Sequence, residues 1–126
     1  MKLNKAAKRT KALSQLPNET STNPTIVLVT VQSLVEGQRI ATNIVKKKLA
    51  ACVNILLSPV SSVYRWKERV EVAHEYLLLI KTTAPVYAAL EREIARTHSY
   101  EVPEIISLPV VAGLPEYLTW LRASVT

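Results

Sequence analysis

The chain has 126 residues, which is the usual size of one domain and too short for two. With 48% apolar residues it can build a core, but no apolar run approaches the roughly 20 residues that span a bilayer. A single cysteine, Cys52, excludes an internal disulfide framework and a multi-cysteine zinc site, and the absence of Asp excludes Asp-based triads and EF-hand loops.

The formal charge of +6 is unevenly spread along the chain. Residues 1–24 carry five basic groups and one acid, whereas residues 25–126 carry eleven basic and nine acidic groups, giving charges of +4 and +2. The first part is poor in large apolar residues, which predicts a flexible basic extension over 1–24 and a folded domain over 25–126. An organelle-targeting peptide is the alternative for this extension, while the lack of an apolar signal segment favours a cytoplasmic protein.

The folded domain opens with a predicted strand and a predicted helix. Residues 26–31 form a β-branched run that is typical of a central strand buried on both faces. Ser33 and Glu36 then have the spacing of a capping box, in which each side chain satisfies a free backbone N–H. Apolar residues recur at helical spacing as far as Leu49, so we expect an amphipathic helix of about four turns.

Two long extended segments follow this helix. Residues 52–66 are interrupted at Ser58-Pro59, where proline implies an edge, a bulge or a bend, and residues 70–82 form the second segment. Only residues 67–69 separate them, which predicts a hairpin. A segment of this length reaches roughly 50 Å at about 3.3 Å per residue, whereas a domain of this size has a radius of gyration of about 13 Å. The hairpin must bend, or project and pair with another subunit, so we expect an oligomer.

The last predicted elements complete the fold. Thr83 and Pro85 indicate the start of a second helix, residues 104–111 a fourth strand, and residues 115–123 a short terminal helix. The order β-α-β-β-α-β plus a terminal helix is that of an α+β, ferredoxin-like sandwich, in which two helices cover one face of an antiparallel sheet. Many unrelated functions use this fold, so the fold alone assigns no activity.

Five short segments form a distinctive pattern in this order. They are residues 48–54 (KLAACVN), 64–67 (YRWK), 80–82 (IKT), 98–104 (HSYEVPE) and 117–121 (YLTWL). Together they resemble the CutA divalent-ion tolerance family, and the resemblance spans residues 26–123. It implies a homotrimer in which the long hairpins form sheets between subunits. It also implies a non-catalytic role in tolerance of copper and other divalent cations, with Cu(II) or another divalent cation as a candidate ligand.

The resemblance implies a second possible function. The CutA trimer is similar to the PII signalling proteins, which bind small ligands in clefts between subunits. The alternative to metal tolerance is therefore a PII-like regulatory trimer that binds a small anion or metabolite. A few polar groups among aromatic side chains are what such a cleft needs. The residues expected to line it are Trp66, Lys67, Lys81, His98, Tyr100, Glu104 and Trp120. Alternatively, the aromatic residues among them anchor the trimer interface.

The chain departs from the family pattern at several positions. Copper-binding bacterial members have a cysteine in the first strand and a histidine pair after the second helix, where this chain has Val29 and Thr97-His98. His98 is thus the one retained candidate ligand, and imidazole suits copper and zinc. The usual glycine at the hairpin tip is Glu68 here. Because glutamate tolerates positive φ poorly, we expect a different turn type.

Two side chains are candidate metal ligands, each with a plainer alternative. His98 either binds a metal, with Tyr100 and Glu104 nearby in sequence, or makes one hydrogen bond as a surface or interface residue. Cys52 either supplies a thiolate or is a small buried hydrophobe, and no second soft ligand is obvious for it. His74, which sits on a strand beside an oppositely directed glutamate, is interpreted as structural.

Catalysis and RNA binding have weaker support in the sequence. No serine has the glycine-flanked setting of a nucleophile elbow. Ferredoxin-like sheets can present aromatic side chains to RNA bases, but phenylalanine is absent and the folded domain carries a charge of only +2. We therefore expect a non-enzymatic protein without a specific nucleic-acid partner or a membrane span.

Overall fold

The computed structural model describes residues 23–126, so the predicted extension over 1–24 lies almost entirely outside the described residues. Within the described part, five strands and three helices follow one another in chain order. They are β1 (Pro24–Val31), α1 (Leu34–Lys46), β2 (Cys52–Ile55), β3 (Val60–Trp66), β4 (Arg69–Thr83), α2 (Ala84–Thr97), β5 (Ile105–Pro109) and α3 (Pro115–Ser124). This is the predicted ferredoxin-like order, with the second predicted strand divided into β2 and β3.

The strands form one antiparallel sheet whose order is β2-β4-β1-β5, with β3 paired to the other half of β4. Strand β1 pairs with β4 on one side and with β5 on the other, which confirms the prediction of a central strand. Its valines Val27, Val29 and Val31 are fully buried. They pack with Ile40 of α1 and Leu90 of α2 in one continuous core, so these two helices cover the same face of the sheet.

Helix α3 packs apart from this core. It contacts β4 and β1, and its Leu121 is buried outside the main apolar cluster. Of the predicted face of Tyr117, Trp120 and Leu121, only Leu121 is therefore buried, and the two aromatic rings stay exposed. None of the helices in residues 23–126 has the length and apolar character needed to cross a membrane.

Only half of the capping box predicted for helix α1 forms. The Glu36 N–H donates to Ser33 Oγ at 3.2 Å, which is the first half of the capping box. The carboxylate of Glu36 does not return to Ser33, because it accepts two hydrogen bonds from Ser99 instead. The helix also ends three residues before Leu49, where Lys48 adopts a left-handed φ of 58° and the chain turns toward β2.

A bulge divides the long strand that runs beside β4. Ile55 pairs with Leu78 and Val60 pairs with Glu75, so five residue steps on one strand match three steps on the other. The two additional residues fall in the Leu56–Pro59 connection, which confirms that Ser58-Pro59 interrupts the pairing. Beyond Glu75, β3 and β4 continue as a two-stranded ribbon that β1 and β5 do not accompany.

The tip of this ribbon is a two-residue turn, and Glu68 adopts the positive φ that glutamate was expected to avoid. Trp66 pairs directly with Arg69, while Lys67 and Glu68 have φ values of 49° and 66°. Two successive left-handed residues are the mark of a type I′ turn. Such turns match the right-handed twist of the strands, so strand pairing overrides the conformational preference of Glu68.

Candidate functional site

The imidazole of His98 is fully buried directly after α2. Its Nε2 lies 2.8 Å from the Thr30 carbonyl oxygen, and its Nδ1 lies 3.0 Å from the Tyr100 backbone nitrogen. A carbonyl oxygen only accepts and an amide only donates, so Nε2 carries the proton and Nδ1 accepts. The ring is therefore a neutral connector between β1 and the turn after α2, and neither nitrogen has a lone pair left for a metal ion.

A buried glutamate lies beside this ring. The carboxylate of Glu36 accepts hydrogen bonds from the Ser99 backbone N–H at 2.8 Å and from the Ser99 hydroxyl at 3.0 Å. Its Oε2 is 4.0 Å from His98 Nδ1 and 3.6 Å from Arg39 Nη2. The first turn of α1 also favours a negative charge. Glu36 thus fixes the turn after α2 against the start of α1.

Tyr100 connects the same turn to the base of the hairpin. Its hydroxyl donates to Glu75 Oε2 at 2.9 Å, and its ring centroid lies 4.8 Å from that of His98. Burial, followed by the hydrogen bond to Glu75, raises the pKa of Tyr100 to about 12. The phenol therefore remains a hydrogen-bond donor at neutral pH. Glu75 is itself buried, and it sits where the hairpin leaves the body of the domain.

The predicted metal ligands do not meet in one chain. Cys52 lies half-buried at the start of β2, opposite Lys81, and has no histidine paired with it. Val29 is part of the apolar core, and the Thr97 hydroxyl donates to the Glu93 carbonyl oxygen at 3.0 Å. Nowhere in residues 23–126 do three His, Cys or Glu side chains come together as a metal cluster. The described side chains of one chain therefore do not assemble a copper site.

The predicted cleft residues fall at separate places on one chain. Trp66 and Lys67 are exposed at the hairpin tip, where Lys67 Nζ lies 6.0 Å from the centroid of the Trp66 ring. Lys81 is in the middle of the sheet, and Trp120 lies on α3 with its ring 5.5 Å from that of Tyr117. Glu104 is exposed just before β5, whereas Tyr100 and His98 are adjacent. Only a second chain can bring the tip residues to the others.

The hairpin exposes more apolar surface than a solvated ribbon would carry. Both of its faces contribute large side chains that none of the helices in residues 23–126 covers. The exposed ones are Val63, Tyr64, Trp66, Val70 and Val72. On the far side of the sheet, β5 is an edge strand, and it leaves Ile106 and Leu108 about half exposed. Such edges and faces pair with other chains unless they are covered.

Sequence reasoning missed the roles of two glutamates. Glu36 was assigned only to a helix cap, and Glu75 only to the strand face opposite His74. In the structure His74 is exposed and Glu75 is buried. The available signal for Glu75 was a carboxylate next to the apolar run 76–80 of a strand, where charge is seldom left unpaired. Its partner, Tyr100, lies 25 residues away and could not be found by spacing.

Comparison with known proteins gives one consistent result. The family model described as CutA1 divalent ion tolerance protein matches residues 25–124. A rice relative, Protein CutA 1, chloroplastic, from Oryza sativa subsp. japonica, is 41% identical over 114 residues, which is 90% of this chain. The Divalent-cation tolerance protein CutA of Thermus thermophilus is 44% identical over 97 residues, covering 77% of this chain and 93% of that protein.

The fold comparison agrees with the sequence comparison. The solved structure of the divalent cation tolerance protein (Cut A1) from Thermus thermophilus has a TM-score of 0.79 and 42% identity. The match covers 82% of this chain and 99% of that structure. This chain spans 64% of the length of the rice relative, so the plant protein contains additional sequence.

Proposed function

Since the chain belongs to the CutA1 divalent ion tolerance family, we propose that it is a non-catalytic protein of divalent-cation tolerance that works as a homotrimer. The observation that carries this proposal is the family match over residues 25–124, which includes all the strands and helices described above except Pro24, the first residue of β1. The Thermus thermophilus relative, which is aligned over nearly its whole length, is named for divalent-cation tolerance.

The hairpin surface supports the trimer. Val63, Val70 and Val72 are each about two-thirds exposed in a single chain, although they lie within a β-ribbon. Covering them in a second copy removes apolar surface from water, at about 25 cal/mol per Å². The unpaired outer edge of β5 offers a second strand-to-strand contact. A ring of identical copies satisfies both surfaces with one repeated contact.

Copper enters the proposal less directly. His98 could bind Cu²⁺ only after Nδ1 releases the Tyr100 amide or Nε2 releases the Thr30 carbonyl. Copper ligation by His98 therefore stays a prediction that these contacts do not favour. The PII-like alternative also stays a prediction, because Lys67 and Tyr100 would line one anion cleft only when two chains meet.

The compartment depends on whether residues 1–24 act as a targeting segment. We propose a cytoplasmic protein, with organelle targeting by residues 1–24 as the alternative because the rice relative is named chloroplastic. A fusion of residues 1–24 to a fluorescent protein separates the two. Diffuse fluorescence that matches the unfused reporter supports the cytoplasm, and fluorescence confined to an organelle overturns it.

The function is tested by complementation under cation stress. Cells that lack their own family member are grown across Cu²⁺, Zn²⁺ and Mn²⁺ concentration series, with and without this chain. For at least one cation, we expect the chain to raise the concentration at which growth is halved. A double substitution, Val70→Asp with Val72→Asp, should abolish the gain, whereas the exposed change Arg92→Gln should preserve it. No gain at equal protein level for any cation overturns the proposal.

The assembly is tested separately by light scattering. One chain has a mass of 14.0 kDa, so a trimer has three times that mass, about 42 kDa. We expect the trimer mass at micromolar concentration for the unaltered chain. A mass of 14.0 kDa under these conditions would exclude the trimer.

A further inference from the structure

Glu75 is a buried carboxylate without a cation beside it. Only 7% of the residue is exposed, and its single hydrogen bond within residues 23–126 comes from the Tyr100 hydroxyl at 2.9 Å. No Lys, Arg or His in this part of the chain lies within ion-pair distance of it. Burial of an unpaired charge is costly, so an ionised carboxylate in this position needs a cation from outside residues 23–126.

One oxygen of Glu75 is available to receive that cation. Tyr100 occupies Oε2, and Oε1 accepts no hydrogen bond. In residues 23–126 the only fully buried side-chain polar atom without a partner is Thr25 Oγ1, so Glu75 Oε1 still reaches the surface. The Tyr100 hydrogen bond holds the carboxylate in one orientation. A basic group that approaches Oε1 therefore finds a fixed acceptor.

The complementary charge lies at the other end of the same ribbon. Arg69 is exposed beside the tip turn and makes no ion pair or side-chain hydrogen bond in the described part of the chain. Glu75 and Arg69 are six residues apart on one extended strand, which separates them by roughly 20 Å. They cannot meet within one chain. A ribbon with a cation at its tip and a carboxylate at its base is complementary to a second copy of itself.

The face of the ribbon selects Arg69 among the tip cations. Residues two apart on a strand point the same way, so Glu75, Ala73, Glu71 and Arg69 share one face. A closed ring joins two different surfaces of each copy head to tail, and Arg69 is the tip cation on the ribbon face that carries Glu75. Arg65 is paired with Val70 and lies on the opposite face. The remaining tip cation, Lys67, lies over the Trp66 ring.

We propose that Arg69 of one copy donates to Glu75 Oε1 of the next, which makes the Glu75–Tyr100 pair an inter-subunit acceptor site completed by the hairpin tip of a neighbouring chain. This inference rests on the homotrimer of the proposed function and adds the residues that join its subunits. A guanidinium is favoured over a divalent cation as the occupant. Glu75 belongs to no group of three His, Cys or Glu side chains among the described residues, whereas one guanidinium satisfies one carboxylate.

The test is a double-mutant cycle on trimer dissociation. Light scattering follows the mass of the full chain across a urea series at fixed protein concentration, because uncharged urea leaves ion pairs unscreened. The variants are Glu75→Gln, Arg69→Gln and their combination. Arg65→Gln is the matched control, since it removes the same charge from the same tip on the opposite face. Circular dichroism checks that each variant is folded, and exposed Arg69 keeps the test valid if Glu75→Gln does not fold.

We expect Glu75→Gln and Arg69→Gln each to raise the dissociation constant of the trimer on the order of tenfold or more. The dissociation constant of the combined variant should not exceed that of the single variant with the larger loss, because the two substitutions remove the same contact. Arg65→Gln should dissociate like the unaltered chain. Additive losses, an equal loss in Arg65→Gln, or no loss in Glu75→Gln overturns the inference while leaving the trimer intact.

Two further outcomes separate the possible failures. If the unaltered chain has the mass of one subunit throughout, the proposed assembly itself fails. If a chelator weakens the unaltered trimer but leaves Glu75→Gln unchanged, a divalent cation occupies Glu75 and Arg69 does not.

Discussion

Nε2 of His98 lies 2.8 Å from the carbonyl oxygen of Thr30, so a side chain from the turn after α2 is joined to the backbone of the central strand. Nδ1 of the same ring accepts a hydrogen bond from the Tyr100 backbone N–H, and the Tyr100 hydroxyl in turn donates to Glu75. These three contacts link the body of the domain to the base of the projecting hairpin. His98 thus helps to hold the hairpin in position, whether or not it also binds a ligand.

Replacing His98 should therefore affect stability. His98→Ala removes the partners of the Thr30 carbonyl and of the part-buried Tyr100 amide, and an unsatisfied buried group costs about 1–3 kcal/mol. We expect the free energy of unfolding to fall by about 2–4 kcal/mol, measured by urea denaturation. His98→Gln, whose amide can still donate to Thr30, should lose less. Equal stability of His98→Ala and the unaltered chain would contradict the structural role.

Copper titration addresses the metal role of the same side chain. Because both ring nitrogens have partners, we expect calorimetry with Cu²⁺ to show no saturable micromolar site that His98→Gln removes. Cys52→Ser is the parallel variant for the second candidate ligand. Micromolar binding that is lost in His98→Gln but kept in Cys52→Ser would mean that the ring rearranges to bind copper.

The hairpin tip carries conformational strain that glycine would remove. Glu68 has a φ of 66°, a region that costs an ordinary L-residue about 1–2 kcal/mol, whereas glycine enters it freely but loses more entropy on folding. We expect Glu68→Gly to stabilise the chain by about 0.5–1 kcal/mol in urea denaturation. Glu68→Ala, which keeps a Cβ at the same φ, should not. A gain of similar size in Glu68→Ala would show that the charge, and not the backbone, limits stability.

A surface network should make stability depend on acid pH. Glu93 accepts hydrogen bonds from Arg96, Lys47 and Asn43, and these contacts hold its pKa far below the ordinary 4.5. A carboxyl whose pKa is lowered by folding stabilises the protein at pH values above its pKa in the unfolded state. That contribution is lost as the pH falls toward the lower pKa of the folded state. The stability difference between the unaltered chain and Glu93→Gln should be constant above about pH 5 and shrink below pH 4.5.

The control for this prediction is Glu101→Gln, which removes an exposed glutamate. Urea midpoints of all three proteins are measured from pH 7 to pH 3. The control should show no comparable change in its difference from the unaltered chain. A Glu93→Gln difference that stays constant to pH 3 would mean that the network does not contribute through the charge of Glu93.

Much of the architecture was predictable because it depends on local patterns. The β-branched run in β1, the helical spacing in α1 and the proline at position 59 each act through the backbone of their own segment. The candidate site was less predictable. His98 was found as a polar residue in a distinctive motif, but its two hydrogen-bond partners, Thr30 and Tyr100, reflect how β1 and the turn pack together.

The sequence by itself determined the element order, the central strand, the presence of the hairpin and the family, because hydrophobic period and motif order are properties of the chain alone. Tertiary structure decided what the buried polar groups do. The Glu36 carboxylate meets Ser99 across 63 residues, and Glu75 meets Tyr100 across 25. A buried charge takes whichever partner packing brings within reach, and that partner lies far away in sequence.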